Sequence, residues 1–218
     1  MPNHCNNALL IAGPKVELNR FFNSCIREGS SQSSERIPPE FYIDFNRLVP
    51  LAEDATNSDR ADNWGTKWNS YDCNQLFLPR LHDNRVLFTF NTAWGPPLGA
   101  FFKGSRLYPN LFFTLMYFEP SNGFAGIYLI KNNKVMYENE QSPEMLELMN
   151  NVMGEIDYDP DESLESGNDR LKKKIMPQLE NMPIVIKNVI LLMLFVNKGG
   201  TDHYESTIPP LTSIMLLE

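Results

Sequence analysis

The side chains best suited to chemistry gather in two short segments, Asn63-Trp64-Gly65-Thr66-Lys67-Trp68-Asn69 and Thr92-Ala93-Trp94-Gly95-Pro96-Pro97, which hold all three tryptophans of the chain. Flanking Gly and Pro set backbone angles, so both segments read as shaped loops around aromatic anchors, and Lys67 places a cation among the rings. Such a group can form a protein-recognition patch or a small-ligand cleft, because interface energy concentrates in a few aromatic anchors. The competing account is that tryptophans, which are mostly buried, pin a long crossover loop onto a sheet. The expectation is a division of labour: Trp64 and Trp94 structural, with Lys67, Trp68 and Asn69 nearer the surface and available to a partner.

Other reactive side chains form weaker patterns. Asp157, Asp159 and Asp161 alternate like the start of a calcium loop, but the sixth position is Glu162 where the turn needs Gly. The twelfth is Asn168 where a bidentate Glu is required, so a solvated acidic loop is expected. His4 and Cys5 are neighbours, and on a strand they point to opposite faces. His82 and His203, the other imidazoles, lie in no ligand-spaced motif, and no particular Cys–His pair is singled out as nucleophile and base. A phosphate-cradling glycine loop is absent from the sequence. Glu119 and Asn122 lie in a turn where Pro120 fixes one angle and Gly123 permits a positive one, a structural job. No catalytic, cofactor-binding or metal-ligating residue is therefore assigned.

These side chains need a scaffold, and the apolar pattern supplies one. Asn7 to Ala12 reads as a strand ended by Gly13-Pro14. Leu18, Phe21, Phe22, Cys25 and Ile26 then follow the spacing of an apolar helical stripe, with Cys25 a core thiol. The run Gly29 to Ser34 reads as a mobile loop, Phe41 to Leu48 as a second strand, and Ala52 to Asn63, without periodicity, as loop. Arg85 to Asn91 alternates as a strand, and Pro96-Pro97 opens a helix carrying Leu98, Phe101 and Phe102. Leu111 to Phe118 and Phe124 to Ile130 are further strands, and Lys131-Asn132-Asn133-Lys134 is a hairpin turn into Val135-Met136-Tyr137. This order fits an α+β sandwich, with Leu18, Phe21, Phe22, Val86, Phe88, Phe90, Leu115 and Ile127 in one core. Residues 1–142 form that domain, with a Trp-containing insertion at about 51–80. Residues 143–218 form an α-rich C-terminal extension packed on it, begun by the stripe Met145, Leu148, Met149 and Val152 and broken later by prolines.

With 218 residues the chain can bury a substantial core. Cys5, Cys25 and Cys73 form no metal-ligand spacing and suit a reduced, cytoplasmic setting. The start of the chain reads as lacking a signal peptide. Ile184 to Val196 is too short, and too interrupted by Lys187 and Asn188, for a membrane span. A formal net charge of -8 and a pI near 5.0 oppose a phosphate backbone.

The tryptophan segments, together with Glu119-Pro120-Ser121-Asn122-Gly123-Phe124-Ala125-Gly126, the opening Met1-Pro2-Asn3-His4-Cys5-Asn6-Asn7 and Ile43-Asp44-Phe45-Asn46-Arg47-Leu48-Val49-Pro50, carry a resemblance. Over about residues 1 to 137 the chain resembles the YubB-like proteins of enterobacterial plasmids and phages, which are uncharacterised and have a ferredoxin-like domain. The resemblance implies a ferredoxin-like split β-α-β sandwich with added hairpin strands and a mobile-element origin, and it brings no catalytic residues. The functional expectation is a non-enzymatic phage- or plasmid-type accessory protein acting by protein–protein contact through an aromatic and acidic surface, in one version inhibiting a host defence system. Two alternatives stand beside it: single-stranded nucleic-acid binding by Phe88, Phe90, Phe112 and Tyr117, or an enzyme with a cleft near Trp64 and Trp94.

Overall fold

The computed structural model describes residues 3–29, 41–76, 84–140, 143–153, 175–180, 182, 186, 187 and 190. Its centre is β1 (His4–Ala12), apolar on both faces because both are covered. Leu9 and Ile11 enter one core and Ala8 and Leu10 the other. Around β1 lie β4 (Tyr71–Leu76), β5 (Arg85–Ala93), β6 (Phe112–Glu119), β7 (Phe124–Lys131) and β8 (Lys134–Glu140), in the order β4-β5-β1-β6-β7-β8. Each neighbouring pair is antiparallel. Helix α4 (Leu98–Gly104) carries the chain from β5 to β6, on opposite sides of β1. Mixed α and β content built on a large antiparallel sheet is the α+β class expected.

One face of the sheet is covered by α1 (Lys15–Cys25), α2 (Phe45–Leu48), α3 (Asn57–Trp64) and α4. Their buried side chains Phe21, Cys25, Phe45, Trp64 and Phe101 share a core with Val86, Phe88, Phe90, Phe113 and Leu115 of the strands. Phe45 is the hub, with ring centroids 6.0 Å from Trp64, 5.9 Å from Phe101 and 6.4 Å from Phe90, each edge-on. The opposite face is covered by α5 (Pro143–Met153) through Met145, Leu148, Met149 and Val152, together with Ile175, Leu179, Ile186 and Ile190. Strand alternation thus divides the expected single core. Ile127 belongs to the second layer with Met116 and Leu129, whereas its neighbour Tyr128 belongs to the first. Phe22 packs on the first core while only partly buried.

Two segments differ from expectation for local reasons. The strand at 41–48 stops after β3 (Phe41–Ile43), which pairs with β2 (Ile26–Glu28), because the Asp44 carboxylate accepts the Asn46 N–H at 3.0 Å and caps α2. Residues 57–64 form α3 where loop was expected. Thr56 and Asp59 make a reciprocal capping box, and only Trp64 of that helix is buried, so no apolar period marks it. The Asn132-Asn133 turn has positive φ at both residues (46° and 59°), as a two-residue hairpin requires. The Glu119 carboxylate closes the other β-turn, accepting the Ser121 and Asn122 N–H groups at 2.8 and 2.7 Å. The expected loops at 30–34 and 157–169 lie outside the described residues.

Gly126 faces Tyr117 across the β6–β7 ladder, and a Cβ there would lie 2.4 Å from the Tyr117 hydroxyl and 2.6 Å from its ring. That ring is fixed, stacked on Tyr128 at 6.4 Å, edge-on to Phe124 at 6.1 Å and donating from its hydroxyl to Glu140 at 2.9 Å. Gly126→Ala should lower stability by about 1 to 3 kcal/mol, the usual cost of overpacking, read as a lower urea midpoint at constant slope. An unchanged midpoint would show that the Tyr117 ring moves freely.

Candidate functional site

The two tryptophan segments fold against each other as one unit. Helix α3 ends at Gly65, whose φ of 90° is the left-handed closure that glycine adopts without a Cβ penalty. A Cβ on Gly65 would lie 2.6 Å from the Pro96 carbonyl oxygen, and one on Gly99 would lie 2.6 Å from the Asn63 carbonyl oxygen. Backbone therefore meets backbone. The Thr66 hydroxyl donates to the Ala93 carbonyl at 2.9 Å, the Thr92 hydroxyl to the Gly95 carbonyl at 2.7 Å, and the Lys103 ammonium to Asn63 Oδ1 at 3.0 Å.

Within this frame the tryptophans take different positions. Trp64 is 3% exposed and its indole N–H donates to the Val49 carbonyl at 2.9 Å, an anchor as expected. Trp94 corrects the expectation: it is 44% exposed. Its φ is 74°, an angle non-glycine residues rarely adopt, and its N–H is tied to the Asn3 carbonyl at 3.0 Å. This turns the chain from β5 into Gly95-Pro96-Pro97 and leaves the ring in solvent, beneath the Lys67 ammonium at 4.8 Å from its centroid. The general tendency of Trp to be buried did not foresee it.

Lys67, Trp68 and Asn69 are all half-buried but have different surroundings. Lys67 lies on Trp94, and Trp68 tilts against Tyr71 with centroids 6.3 Å apart. Asn69 Oδ1 accepts the Phe45 N–H at 2.8 Å, holding the start of α2. Trp68 and Asn69 also line a cleft of about 420 Å³ with Tyr42, Asp44, Arg60 and Trp64. Tyr42 and Arg60 were missed because they come from β3 and α3, and nothing in the sequence ties those positions to Trp68. The Arg60 guanidinium lies 6.0 Å from the Trp64 ring centroid.

The remaining reactive groups serve the scaffold. His4 Nδ1 is 2.7 Å from the Tyr71 hydroxyl, which lies within 3.3 Å of the Thr92 carbonyl oxygen, so His4 and Tyr71 are tied to the β5 backbone. Cys5 points the other way from exposed His4 and is fully buried. Asn7, almost fully buried, donates to Thr92 Oγ1 at 2.8 Å. Phe88, Phe90 and Tyr117, rings that strand-stacking on a nucleic acid would use, are buried in the first core, and partly buried Phe112 carries Lys131 at 4.2 Å over its face. Among the described residues no group of His, Cys, Asp and Glu is arranged to hold a metal. His82, His203 and the 157–161 aspartates lie outside them.

Burial pushes the Cys5 thiol up to about 12 and the Cys25 thiol up to about 11, from an ordinary 9.0. Both stay protonated in the fold where the unfolded chain ionises them, so stability should fall as pH rises from about 9 through these values. At pH 8 iodoacetamide should label Cys73 far faster than Cys5 or Cys25, and all three in denaturant. Equal labelling of Cys5 in the native protein, read by peptide mass, would contradict its burial.

No family model matches the chain, and no curated protein does. Among solved structures it is similar to the crystal structure of protein api92 from Yersinia pseudotuberculosis, of the DUF1281 family, at 12% identity and a TM-score of 0.47, over 65% of this chain and 99% of that one.

Proposed function

We propose that the protein is a binding protein that engages a protein partner through the aromatic end of its sheet, with Trp94, Lys67 and Trp68 as the contact residues. The observation carrying this is Trp94: a large apolar ring held 44% exposed, on a left-handed backbone, with a cation fixed on its face. A strained angle of this kind costs of order 1 kcal/mol, and strained positions cluster at functional sites. The segment beneath is tied by the Trp94, Thr66 and Thr92 hydrogen bonds, which lowers the ordering cost of presenting the ring on binding. Asn69 belongs to the scaffold in this account, since its carbonyl oxygen holds α2.

The finer identity is part of the same proposal. The β5–α4–β6 crossover around β1, with β4 beyond β5, supports a ferredoxin-like split β-α-β core extended by the β7–β8 hairpin. The sequence resemblance to YubB-like proteins supports an accessory protein of a plasmid or phage. A net charge of -8 suits a basic partner, including a nucleic-acid-binding component of a host defence system that the acidic protein would inhibit. Cys5, Cys25 and Cys73, none of them joined in a disulfide, suit a cytoplasmic setting. Among the described residues no helix is long and apolar enough to cross a membrane.

Two substitutions separate presentation from support. Trp64→Ala should cost about 3 to 5 kcal/mol, the usual price of deleting a buried aromatic. Trp94→Ala should change stability by no more than about 1 kcal/mol, the scale of an exposed cation–π pair. The same Trp94→Ala protein should lose the partners that tagged wild type captures from host lysate. Full capture by Trp94→Ala at an unaltered melting temperature would rule out the proposed surface.

A further inference from the structure

The cleft beside this surface has a donor inventory that points to a ligand. Asn46 Oδ1 accepts the Leu51 N–H at 2.7 Å and Asn69 Oδ1 accepts the Phe45 N–H at 2.8 Å. Both amides are thereby oriented with their oxygens on the backbone, and the NH₂ groups of these two cleft-lining residues have no acceptor among the described residues. Arg60 is half-buried in the same lining and makes no ion pair with any described residue. Asp44, an acid of the same lining, is committed elsewhere: its carboxylate lies 3.9 Å from Arg27 and 3.8 Å from Arg47 and caps α2. Glu53, the second acid of the lining, is exposed. The lining also includes the half-buried rings of Tyr42 and Trp68 and the almost fully buried Trp64, which is locked by its own hydrogen bond to Val49.

We infer that this cleft is a binding site for a carboxylate carried on a flat apolar body, the guanidinium of Arg60 taking the carboxylate and the half-buried Tyr42 and Trp68 rings taking the body. A guanidinium matches a carboxylate bidentately, and such charge-assisted bonds are about twice as strong as neutral ones. The cavity, about 420 Å³, is within the usual size of small-ligand sites. The negative net charge opposes an anion at long range, but that repulsion is screened beyond about 8 Å at physiological salt, whereas the Arg60 contact is short and partly shielded. A free aromatic acid and the terminal carboxylate of a peptide ending in an aromatic residue share this chemistry. The cleft shares Trp68 with the proposed partner surface, but neither Trp94 nor Lys67 is part of its lining, so substitutions at those two positions test the surface without touching the cleft.

The test is titration of the full chain with benzoate, with its neutral isostere benzamide, and with a short peptide ending in Phe as free acid, following the indole N–H resonances. Saturable shifts with benzoate, at least ten-fold weaker with benzamide, are expected. Arg60→Gln should weaken benzoate at least ten-fold at an unchanged melting temperature, and Glu53→Gln should tighten it by removing a like charge. Trp94→Ala should leave it unchanged, which separates this site from the partner surface. A peptide preferred at least ten-fold over benzoate identifies a protein-borne carboxylate, and equal affinities identify a small molecule. No saturable shift with either carboxylate, equal binding of benzoate and benzamide, or an Arg60→Gln protein that keeps full affinity would overturn the inference. Should Arg60→Gln fail to fold, Glu53→Gln decides: unchanged or weaker benzoate binding in that variant overturns it.

Discussion

The close backbone approach between Gly65 and Pro96, and between Asn63 and Gly99, is the constraint on which the rest of this site depends. It joins the end of α3 to the start of α4 at a separation no side chain could share. From that junction Trp64 drops into the core against Phe45, Trp68 lines the cleft, and Lys67 reaches over Trp94. Each ring is placed by rigid neighbours instead of by its own preference.

The junction also links the site to the fold. Trp64 and Phe101 both meet Phe45, and Phe45 receives the Asn69 side chain on its backbone N–H. One buried ring therefore connects α2, α3, α4 and β5, so disturbing the core should disturb the cleft. The exposed half of the site is less coupled. Trp94 rests on Lys67 and on the backbone bond to Asn3, and its loss removes little buried area.

Much of the scaffold was legible because it depends on local rules. The stripe of Leu18, Phe21 and Cys25, the alternating Val86, Phe88 and Phe90, and the Asn132-Asn133 turn each carry their period or turn chemistry in consecutive residues. What escaped depends on distant contacts or on polar signals. The α3 helix is announced only by Thr56 and Asp59, because just one of its residues is buried. Ile127 lies in the second layer, not in one core with Phe21 and Phe88, because alternation separates two faces without saying which of them meets α1. In the tryptophan segments the residue types pointed to a shaped aromatic unit, yet the exposure of Trp94 follows from a backbone angle that no composition reveals. The cleft was half visible through Trp68 and Asn69. Its cationic member Arg60 was not, since it reaches the cleft only once α3 has formed.

The central claim is that the aromatic end presents Trp94 to a protein partner while Trp64 stays within the scaffold. Hydroxyl-radical footprinting tests it on the side chains themselves, comparing the free protein with its purified partner complex. The account predicts strong oxidation of Trp94 and little of Trp64 in the free protein, with Trp94 protected several-fold in the complex. Trp94 oxidised equally in both states, with protection appearing instead on the β8 edge or α5, would contradict it.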